Sequence, residues 1–475
     1  MFNKIQNYLL LRHPLLWNIK IVPMLAVTLL IHALFFITGF AKGAINFKQP
    51  GWEYNLDSNS PTIVSFSVLL SLIVLIIWLV YYFRNNAYKS FYPKNSASLY
   101  KEWLLIVVIC ILNCSYTATF MYAQDIKKTS YFDKQETRRR LDIISMASLF
   151  TDASTVEASV EPAYDTVTME TVSNNKIKRS LLNRSVYNFN RYSYYRYGKN
   201  RPVNRDSLNN ARVKGWLKNN RKDSVLWLLT EFEKITKSHD LKGNITPQQW
   251  LNFVYTYPNF ADYKEIASSS GRNEYNGYTY QTTATPQYYV PMKEMTYNYE
   301  KIHDAELKPF IKAETGLVYL CVAFGLSLSI FSFRVTSGRG WLIGLVSVGI
   351  TAMITGLFSV AMQTGESYPI MWLLIILGIL IYYLAILAAK TGKGLTDITL
   401  NALLWLLAWL LPIIISIILL NKERDYNYIQ QPEDTFADWI EDNMVAIFYV
   451  NLVIIMVYMF FLSNSIKKWK GIAEA

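Results

Sequence analysis

The chain has 475 residues, of which 52% are apolar and 15% aromatic, and its 47 Lys and Arg against 35 Asp and Glu give a formal net charge of +12. This composition excludes a disordered polymer, and because the apolar residues are concentrated into long runs it also excludes a simple soluble enzyme. None of the three cysteines lies between residues 122 and 315, which excludes a disulfide framework for the longest polar segment.

Residues 1–20 mix apolar positions with Lys4, Arg12 and Lys20, and Pro14 divides them. A basic amphipathic segment is typical of a helix that lies at a membrane surface. We therefore predict an amphipathic cytoplasmic elbow over residues 1–20. The apolar run that follows is too long for a signal peptide, so we expect it to be retained as a membrane span.

Eight apolar runs are long enough to cross the roughly 30 Å hydrocarbon layer as helices. Three precede the polar segment at 122–315 and five follow it, so the predicted membrane regions are 21–121 and 316–462, with a cytoplasmic tail at 463–475. The eight predicted spans are 21–41, 63–83, 103–121, 316–333, 341–362, 370–389, 398–420 and 444–462.

The distribution of Lys and Arg between the short connecting segments predicts the orientation, because these residues are retained on the cytoplasmic side. Fourteen lie on the side of the two termini, and only Lys42, Lys48, Lys422 and Arg424 lie on the other. We expect a multi-pass protein of the plasma (inner) membrane with both termini in the cytoplasm, which makes the domain at 122–315 extracytoplasmic.

The polar segment changes composition several times along its length. Residues 151–175 are rich in Thr, Ser and Val and lack Lys and Arg, which is typical of a loop or edge strands. Apolar residues recur at helical spacing over 223–235, and Thr246 followed by Pro247 is a helix start. Residues 268–299 are rich in Gly, Asn, Thr and Tyr, which favours strands and turns. We therefore predict a large mixed α/β extracytoplasmic domain.

Basic and aromatic residues alternate over 176–222, which includes Arg191, Arg196, Lys199 and Arg201. In the cytoplasm such a stretch would suggest nucleic acid, but outside it we expect no nucleic-acid partner. Two interpretations remain. The four residues are candidates for contact with envelope proteins, anionic lipid or glycan, or they form a solvated basic face that pairs with the acidic stretch just before it.

The fifth predicted span carries Ser347, Thr351, Thr355 and Ser359 at a spacing of four residues. This spacing keeps the hydroxyl groups on one stripe of a helix. One interpretation is close helix packing, with the hydroxyls bonded to backbone. The other is the lining of a polar pathway, because the pattern is equally compatible with both.

His32 is the ionisable side chain nearest the middle of a predicted span. An ionisable group at that depth is a hypothesis of function, here transport or gating. A neutral histidine can also serve helix packing, and the third span offers Asn113, Ser115 and Thr117 as partners. We find no Asp, Glu, Lys or Arg deep in a span, so the relay of a proton-driven carrier is missing from the pattern.

Catalytic and cofactor motifs are absent from the sequence. It contains no G-x-x-x-x-G-K-[ST] phosphate loop, no H-E-x-x-H pair, no C-x-x-C site and no G-x-S-x-G elbow. With four histidines in the whole chain, a histidine-rich metal site is not expected either. We therefore expect no catalytic activity, no cofactor and no bound metal in this chain.

The segment NYLLLRHPLLWNIK at residues 7–20, which runs directly into the first span, and the later block of five spans together resemble the membrane (permease) subunit of an ABC-type exporter. The resemblance implies that a separate ATPase drives transport and that Arg12, His13 and Trp17 lie nearest that partner. Such subunits usually have six spans, whereas eight are predicted here with a domain between the third and the fourth.

Three functional hypotheses follow from this organisation. The first is a permease-like subunit of an ATP-driven export or envelope-component transport system, with the ATPase on a separate chain. The second is a non-transporting receptor or scaffold whose extracytoplasmic domain binds a ligand or partner protein. The third is a membrane enzyme that acts on lipid or glycan. The lipid bilayer is a partner in all three, and assembly into a homo- or hetero-oligomer fits each of them.

Overall fold

A computed structural model of the chain describes residues 2–48, 61–86, 96–156, 180–189, 205–270, 286–307, 311–361, 367–389, 393–425 and 435–470. The chain divides into two compact units. The membrane unit comprises Met1–Phe35, Thr62–Thr119 and Phe310–Ala475, and the inserted unit comprises Phe36–Pro61 and Phe120–Pro309.

Helices make up nearly all of the secondary structure in the described residues. In chain order they are α1 (Phe2–Arg12), α2 (Pro14–Ile19), α3 (Ile21–Lys42), α4 (Pro61–Asn86), α5 (Ser96–Cys114), α6 (Tyr116–Thr129), α7 (Lys134–Ser148), α8 (Arg205–Lys218), α9 (Lys222–Lys237), α10 (Pro247–Val254), α11 (Met292–Leu307), α12 (Ala313–Val335), α13 (Gly338–Ala361), α14 (Ser367–Ala389), α15 (Lys393–Leu406), α16 (Leu410–Asp425) and α17 (Thr435–Lys470). The strands β1 (Thr155–Val156) and β2 (Arg184–Ser185) pair antiparallel.

Among the described residues, six helices are long and apolar enough to cross a membrane, and they form the candidate spans Ile21–Lys42, Thr62–Arg84, Ala313–Val335, Gly338–Ser359, Tyr368–Ile386 and Asp438–Ser463. Their side chains are largely apolar and exposed, as expected of helices that meet hydrocarbon, and their backbone polar groups are bonded within each helix. The prediction of a polytopic helical membrane protein is confirmed.

The remaining two predicted spans, the third and the seventh, are each a pair of helices with a bend between them. Leu99–Cys114 and Tyr116–Thr129 meet at 52°, and Asp397–Leu406 and Leu410–Leu420 meet at 50°. We call the interruption at Ser115 the first break, and the 3-10 turn at Leu407–Trp409 the second break. The count of candidate spans is therefore six, or eight if each bent pair crosses as one span.

The inserted unit has a helical core. Helix α9 buries Val225, Leu228 and Phe232 on one face, and α11 buries Met295 and Tyr299. Spacings of three and four residues place such side chains on a single face of a helix. The helix starts also follow from the sequence, because Thr246 and Gln249 form a reciprocal capping box ahead of α10.

The described residues do not support a mixed α/β domain. Their only strands are β1 and β2, with two residues each, and residues 292–299 of the segment expected to form strands and turns belong to α11 instead. The physical reason is that Met292, Met295, Tyr299 and Ile302 are buried at helical spacing, and this periodicity outweighs the strand preference of the neighbouring Tyr and Thr. Residues 157–179 and 271–285 lie outside the described part of the chain.

Within the inserted unit, the end of α3 packs closely on α6 through Gly39 and Gly43. A Cβ atom on Gly43 would lie 2.7 Å from the carbonyl oxygen of Gln124, and one on Gly39 would collide with the carbonyl of Phe120. The four-residue spacing places both glycines on the contact face, so the two backbones approach as small residues allow.

Candidate functional site

The amino-terminal elbow is a tight turn between α2 and α3. Lys20 adopts the left-handed conformation with φ of 56°, and its backbone N–H reaches the carbonyls of Leu16 and Trp17. Trp78 of α4 donates from Nε1 to the carbonyl oxygen of Ile19 at 2.8 Å. The turn is therefore fastened to the membrane unit by a buried hydrogen bond, since an indole N–H inside a bundle needs an acceptor.

The residues expected to face an ATPase differ in their exposure. Arg12 and His13 are exposed at the junction of α1 and α2, whereas Trp17 is half-buried. The Lys20 ammonium lies 3.6 Å from the centre of the Trp17 ring, a cation–π contact within the elbow itself. Arg12 and His13 are thus accessible to a partner, and Trp17 mainly shapes the turn.

The first break is closed by His32, the ionisable side chain that the sequence singled out. Its Nε2 atom lies 3.0 Å from the carbonyl oxygen of Leu112, and its Nδ1 atom lies 2.7 Å from the Thr119 hydroxyl. Because a carbonyl can only accept, Nε2 carries the proton and Nδ1 accepts from Thr119. The Ser115 hydroxyl also donates to the Leu112 carbonyl, at 3.2 Å. The neutral ring therefore has both nitrogens engaged, a geometry that fits helix packing better than gating.

Two further polar contacts hold α4 against the first break. The Asn113 amide donates to the Ser71 carbonyl at 2.7 Å, and the Ser71 hydroxyl donates to the Asn113 carbonyl at 2.6 Å. The Asn113 side-chain oxygen accepts from the Tyr116 hydroxyl at 3.1 Å, and Ser67 is bonded to Thr117. Neighbouring helices thus supply partners for the polar groups around this interruption, which is how irregular backbone is tolerated at membrane depth.

The hydroxyl stripe of the fifth predicted span lies on α13. Thr351 donates to the Ser347 carbonyl at 2.8 Å, and Thr355 donates to the carbonyls of Thr351 and Ala352 at 2.9 and 3.1 Å. Ser359 is on the same helix and is half-buried. The Thr351 and Thr355 hydroxyls bond back to their own helix, as serine and threonine often do, and for these two residues the geometry fits the packing interpretation better than a polar pathway.

A buried ion pair joins three helices of the membrane unit. The Glu102 Oε1 atom of α5 accepts from the Tyr82 hydroxyl of α4 at 2.8 Å and from Arg334 Nε of α12 at 3.2 Å. Glu102 is 1% exposed, Arg334 9% and Tyr82 fully buried. Buried charges of this kind are paired because an isolated one carries a large desolvation cost.

Sequence reasoning missed this ion pair. It assigned both charges to cytoplasmic segments, because the apolar run of the third span begins only at Trp103, whereas α5 begins at Ser96. Glu102 and Arg334 in fact lie within candidate spans, close to the ends of their helices. A signal was available, since residues 96–102 contain no proline or glycine and can extend the helix.

The second break has a local cause in the sequence. Pro412 has no N–H to donate to the carbonyl of Ala408, four residues earlier, and a proline ring crowds the carbonyl at that position. Asn451 of α17 donates instead, from Nδ2 to the Ala408 oxygen at 3.1 Å. The chain passes through the 3-10 turn Leu407–Trp409 and continues as α16 in a new direction.

A cavity of about 290 Å³ lies beside the second break, within the membrane unit. Its walls come from α12, from the two helices of the bent pair and from α17, and nine of its eleven side chains are apolar. The lining residues are Leu328, Leu404, Ala408, Leu410, Leu411, Ile414, Asn451, Ile454, Ile455, Tyr458 and Met459. Space with such walls suits hydrocarbon rather than a polar solute.

The starts of both bent pairs are bonded to the same region, the end of α12. Glu102 holds α5 there through Arg334, as described above. Asn401 of α15 donates to the Thr336 hydroxyl at 3.0 Å, and Asp397 accepts from the Ser337 backbone N–H at 2.8 Å. One bent pair is thus fastened by an ion pair and the other by hydrogen bonds that involve a single charge.

The inserted unit contains a cluster of titratable side chains around Tyr299. The Tyr299 hydroxyl accepts from Arg140 Nη1 at 3.0 Å and lies 2.9 Å from His239 Nε2. Since Arg140 can only donate, the hydroxyl proton goes to His239. Burial lowers the pKa of His239 to about 4, and the nearby Arg140 charge contributes. The hydrogen bonds from Arg139 and Arg140 lower the pKa of Glu136 to about 2.

The remaining predicted site residues are Arg191, Arg196, Lys199 and Arg201, and they lie outside the described residues. Their contact with an anion or a partner stays a prediction. Within the described part of the chain, no group of three or more His, Cys, Asp and Glu side chains is arranged to hold a metal ion.

Comparison of the chain with family models, with curated proteins and with solved structures finds no match. Function is therefore inferred from the two breaks, the ion pair, the elbow and the cavity.

Proposed function

We propose that this chain is a permease-like membrane subunit of an ATP-driven system that exports or transports an envelope component, with the ATPase on a separate chain. The observation that carries the proposal is the cavity of about 290 Å³ beside an interrupted span. A subunit that handles a hydrophobic molecule needs an apolar recess in its membrane region, and this one is lined mainly by apolar side chains. The proposal includes a plasma (inner) membrane location with both termini in the cytoplasm.

The elbow supports the part of the proposal that concerns the ATPase. Arg12 and His13 are exposed on a turn that Trp78 fastens to the membrane unit. A rigidly held basic corner suits docking of an acidic surface on a cytoplasmic partner. The two charges of the buried ion pair neutralise each other, so Glu102 and Arg334 suit a structural link better than a proton relay.

A receptor or scaffold is the second candidate. The observation that favours it is the first break, where His32 bonds to Thr119 and the Leu112 carbonyl, while Asn113 and Ser71 bond to each other's backbone carbonyls. A bundle sealed in this way suits a firm anchor for the inserted unit, which has its own apolar core. In that case ligand binding belongs to the inserted unit, and no ATPase is required.

Affinity purification of the full chain in mild detergent, followed by identification of the bound proteins, separates the two candidates. The permease-like function predicts a co-purifying ATPase. It also predicts that Arg12→Glu combined with His13→Glu reduces the recovered ATPase at least tenfold, because both exposed side chains at the elbow then become acidic.

The matched control is Lys222→Glu, which changes an exposed basic residue at the start of α9 in the inserted unit. Recovery of the ATPase should be unchanged in this variant. Purification of the unaltered chain without any ATPase, together with ligand binding that does not respond to ATP, would contradict the permease-like function and favour the receptor.

A further inference from the structure

The cavity beside the second break has buried walls and an exposed mouth. Leu328, Leu404 and Met459 line it and are almost fully buried. Ile414 and Ile454 also line it, yet they are 38% and 53% exposed. Both isoleucines belong to candidate spans, so the surface around the mouth is one that meets hydrocarbon.

The chemistry of the lining selects the part of a molecule that can enter. Asn451 and Tyr458 are the two polar side chains among the eleven, and the Asn451 amide N–H is already bonded to the Ala408 carbonyl. A charged or strongly hydrated headgroup would lose its water here without recovering its hydrogen bonds, at a cost of several kcal/mol. An alkyl chain loses nothing on entry, because the bilayer it leaves is equally apolar.

The volume limits how much can enter. An apolar cavity of about 150 Å³ accommodates one benzene molecule. The cavity of about 290 Å³ is roughly twice that size, so it has room for part of one chain and not for a whole two-chain lipid. The break itself creates this space, because α16 leaves the direction of α15 at 50°.

We propose that the cavity binds a single hydrocarbon chain of a membrane lipid, which enters sideways from the bilayer between Ile414 and Ile454 while its headgroup stays outside. This inference deepens the proposed function and rests on it only for the claim that the bound molecule is moved. It assigns the substrate class as an amphiphile with at least one alkyl chain. At the inner end of the site, the Asn451 amide bonds to the Ala408 carbonyl, which Pro412 cannot reach with a backbone N–H.

The test uses the full chain in lipid nanodiscs that contain a phospholipid with a photoactivatable diazirine in the middle of one acyl chain. After illumination, the labelled peptides are mapped by proteolysis and mass spectrometry. We expect labelling concentrated in residues 404–414 and 451–459, above the level on the exposed side of α13 around Leu357.

Two neighbouring tryptophan substitutions provide the matched pair. Ile454→Trp fills the mouth and should reduce labelling within the cavity at least fivefold. Val453→Trp adds the same side chain at a position that is 57% exposed and does not line the cavity, so labelling should be unchanged. Ile414→Trp closes the mouth from the other side and replaces Ile454→Trp if that variant fails to fold.

Equal labelling of the two tryptophan variants, or labelling of the cavity no stronger than that around Leu357, would overturn the hydrocarbon site. Capture of the ATPase is measured on the same preparations. If the cavity is labelled but no ATPase co-purifies, the lipid site is supported and the export function is contradicted. If an ATPase co-purifies but the cavity is not labelled, only the lipid site is contradicted.

Discussion

Two candidate spans are interrupted, and the two interruptions are built in opposite ways. At the first break, His32 and Ser115 bond to the Leu112 carbonyl, and α4 contributes further polar partners. At the second, Asn451 alone bonds to the Ala408 carbonyl, and an apolar cavity lies alongside. Comparison of the two breaks shows that an interrupted helix is not by itself a functional site. What matters is whether neighbouring side chains fill the space around it.

Both bent pairs nevertheless begin from the same place, the end of α12. The pair with the sealed break is fastened there by the ion pair between Glu102 and Arg334. The pair beside the cavity is fastened by Asn401 and Asp397, with bonds to Thr336 and the Ser337 backbone. The bent pair that we assign to structure is therefore held by two opposite charges, and the pair that we assign to binding is held by hydrogen bonds with one charged partner.

The largest effect is expected from Glu102→Ala, which removes the carboxylate that accepts from the buried Arg334 guanidinium and from the Tyr82 hydroxyl. Breaking a buried ion pair in this way costs about 3–5 kcal/mol of unfolding free energy. The measurement is denaturant unfolding of the full chain in a lipid or mixed-micelle system. Lys101→Ala, at the exposed neighbouring position, should change the unfolding free energy by less than about 0.5 kcal/mol.

A double variant sharpens this test. Glu102→Met combined with Arg334→Met removes both charges and should recover most of the lost stability, since an apolar replacement leaves no uncompensated charge. A loss below about 1 kcal/mol for Glu102→Ala would contradict the description of the pair as buried and mutually dependent.

His32→Leu should have the next largest effect, because it removes the side chain that bonds to the Leu112 carbonyl and the Thr119 hydroxyl at the first break. The expected loss of unfolding free energy is about 1–2 kcal/mol, typical of hydrogen bonds between membrane helices. Leu30→Ala, at an exposed position on α3, serves as control. Photolabelling of the cavity should be unaffected, and a decrease in it would show that the two breaks are coupled.

The helices of this protein follow from sequence more readily than its breaks do. Apolar runs predicted eight spans, six of which are uninterrupted helices, because a hydrocarbon solvent requires long apolar helices and the sequence contains them. The second break was not predicted, although Pro412 offered a signal, since a proline cannot donate the helical hydrogen bond to Ala408. The first break was not readable, because no proline or glycine marks it and its partner His32 is 80 residues away from Leu112.

The candidate site depends on tertiary contacts that local patterns do not encode. The cavity is the space left between α12, α17 and one bent pair, so no single segment carries its signature. Glu102 was assigned to a cytoplasmic connecting segment because the apolar run begins one residue later, although the helix and its buried residues begin earlier. In the inserted unit, the many polar and aromatic residues of α11 favoured strands and turns in the sequence analysis. The helical face that buries Met295 and Tyr299 was therefore not predicted.

Asn451→Leu should have a smaller effect on stability than His32→Leu. It removes the one bond to Ala408, and interhelical hydrogen bonds of this kind contribute about 0.6–1.7 kcal/mol. Because leucine also makes the wall more apolar, photolabelling of the cavity should persist. A loss of stability larger than that of His32→Leu would reverse our ranking of the two breaks.

A pH response confined to the inserted unit separates the stability of that unit from the stability of the two breaks. The pKa of His239 is about 4 in the folded chain against an ordinary value of 6.5. Because the pKa of His239 is lowered by folding, its contribution to the free energy of unfolding is fully present above pH 6.5. That contribution is lost as the pH falls towards 4. Because the pKa of Glu136 is also lowered, the free energy of unfolding decreases further between pH 4.5 and about 2.

Hydrogen exchange of α9 and α11 in the full chain measures this response. Exchange should accelerate as the pH is lowered from 7 to 5, after correction for the intrinsic rate. In His239→Gln, which cannot be protonated, the corrected rate should depend less on pH over that range. If the corrected exchange rate of His239→Gln had the same pH dependence as that of the unaltered chain, the loss of stability below pH 6.5 could not be attributed to protonation of His239.

The most direct test of the difference between the two breaks is a cryo-EM map of the full chain in lipid nanodiscs. We predict a helix interrupted at Leu407–Trp409, with an elongated non-protein density that enters between Ile414 and Ile454 and ends near Ala408. Around Ser115 we predict that side chains of α3 and α4 fill the space. A continuous helix through Leu407–Trp409, packed directly against α17 with no cavity, would contradict the account.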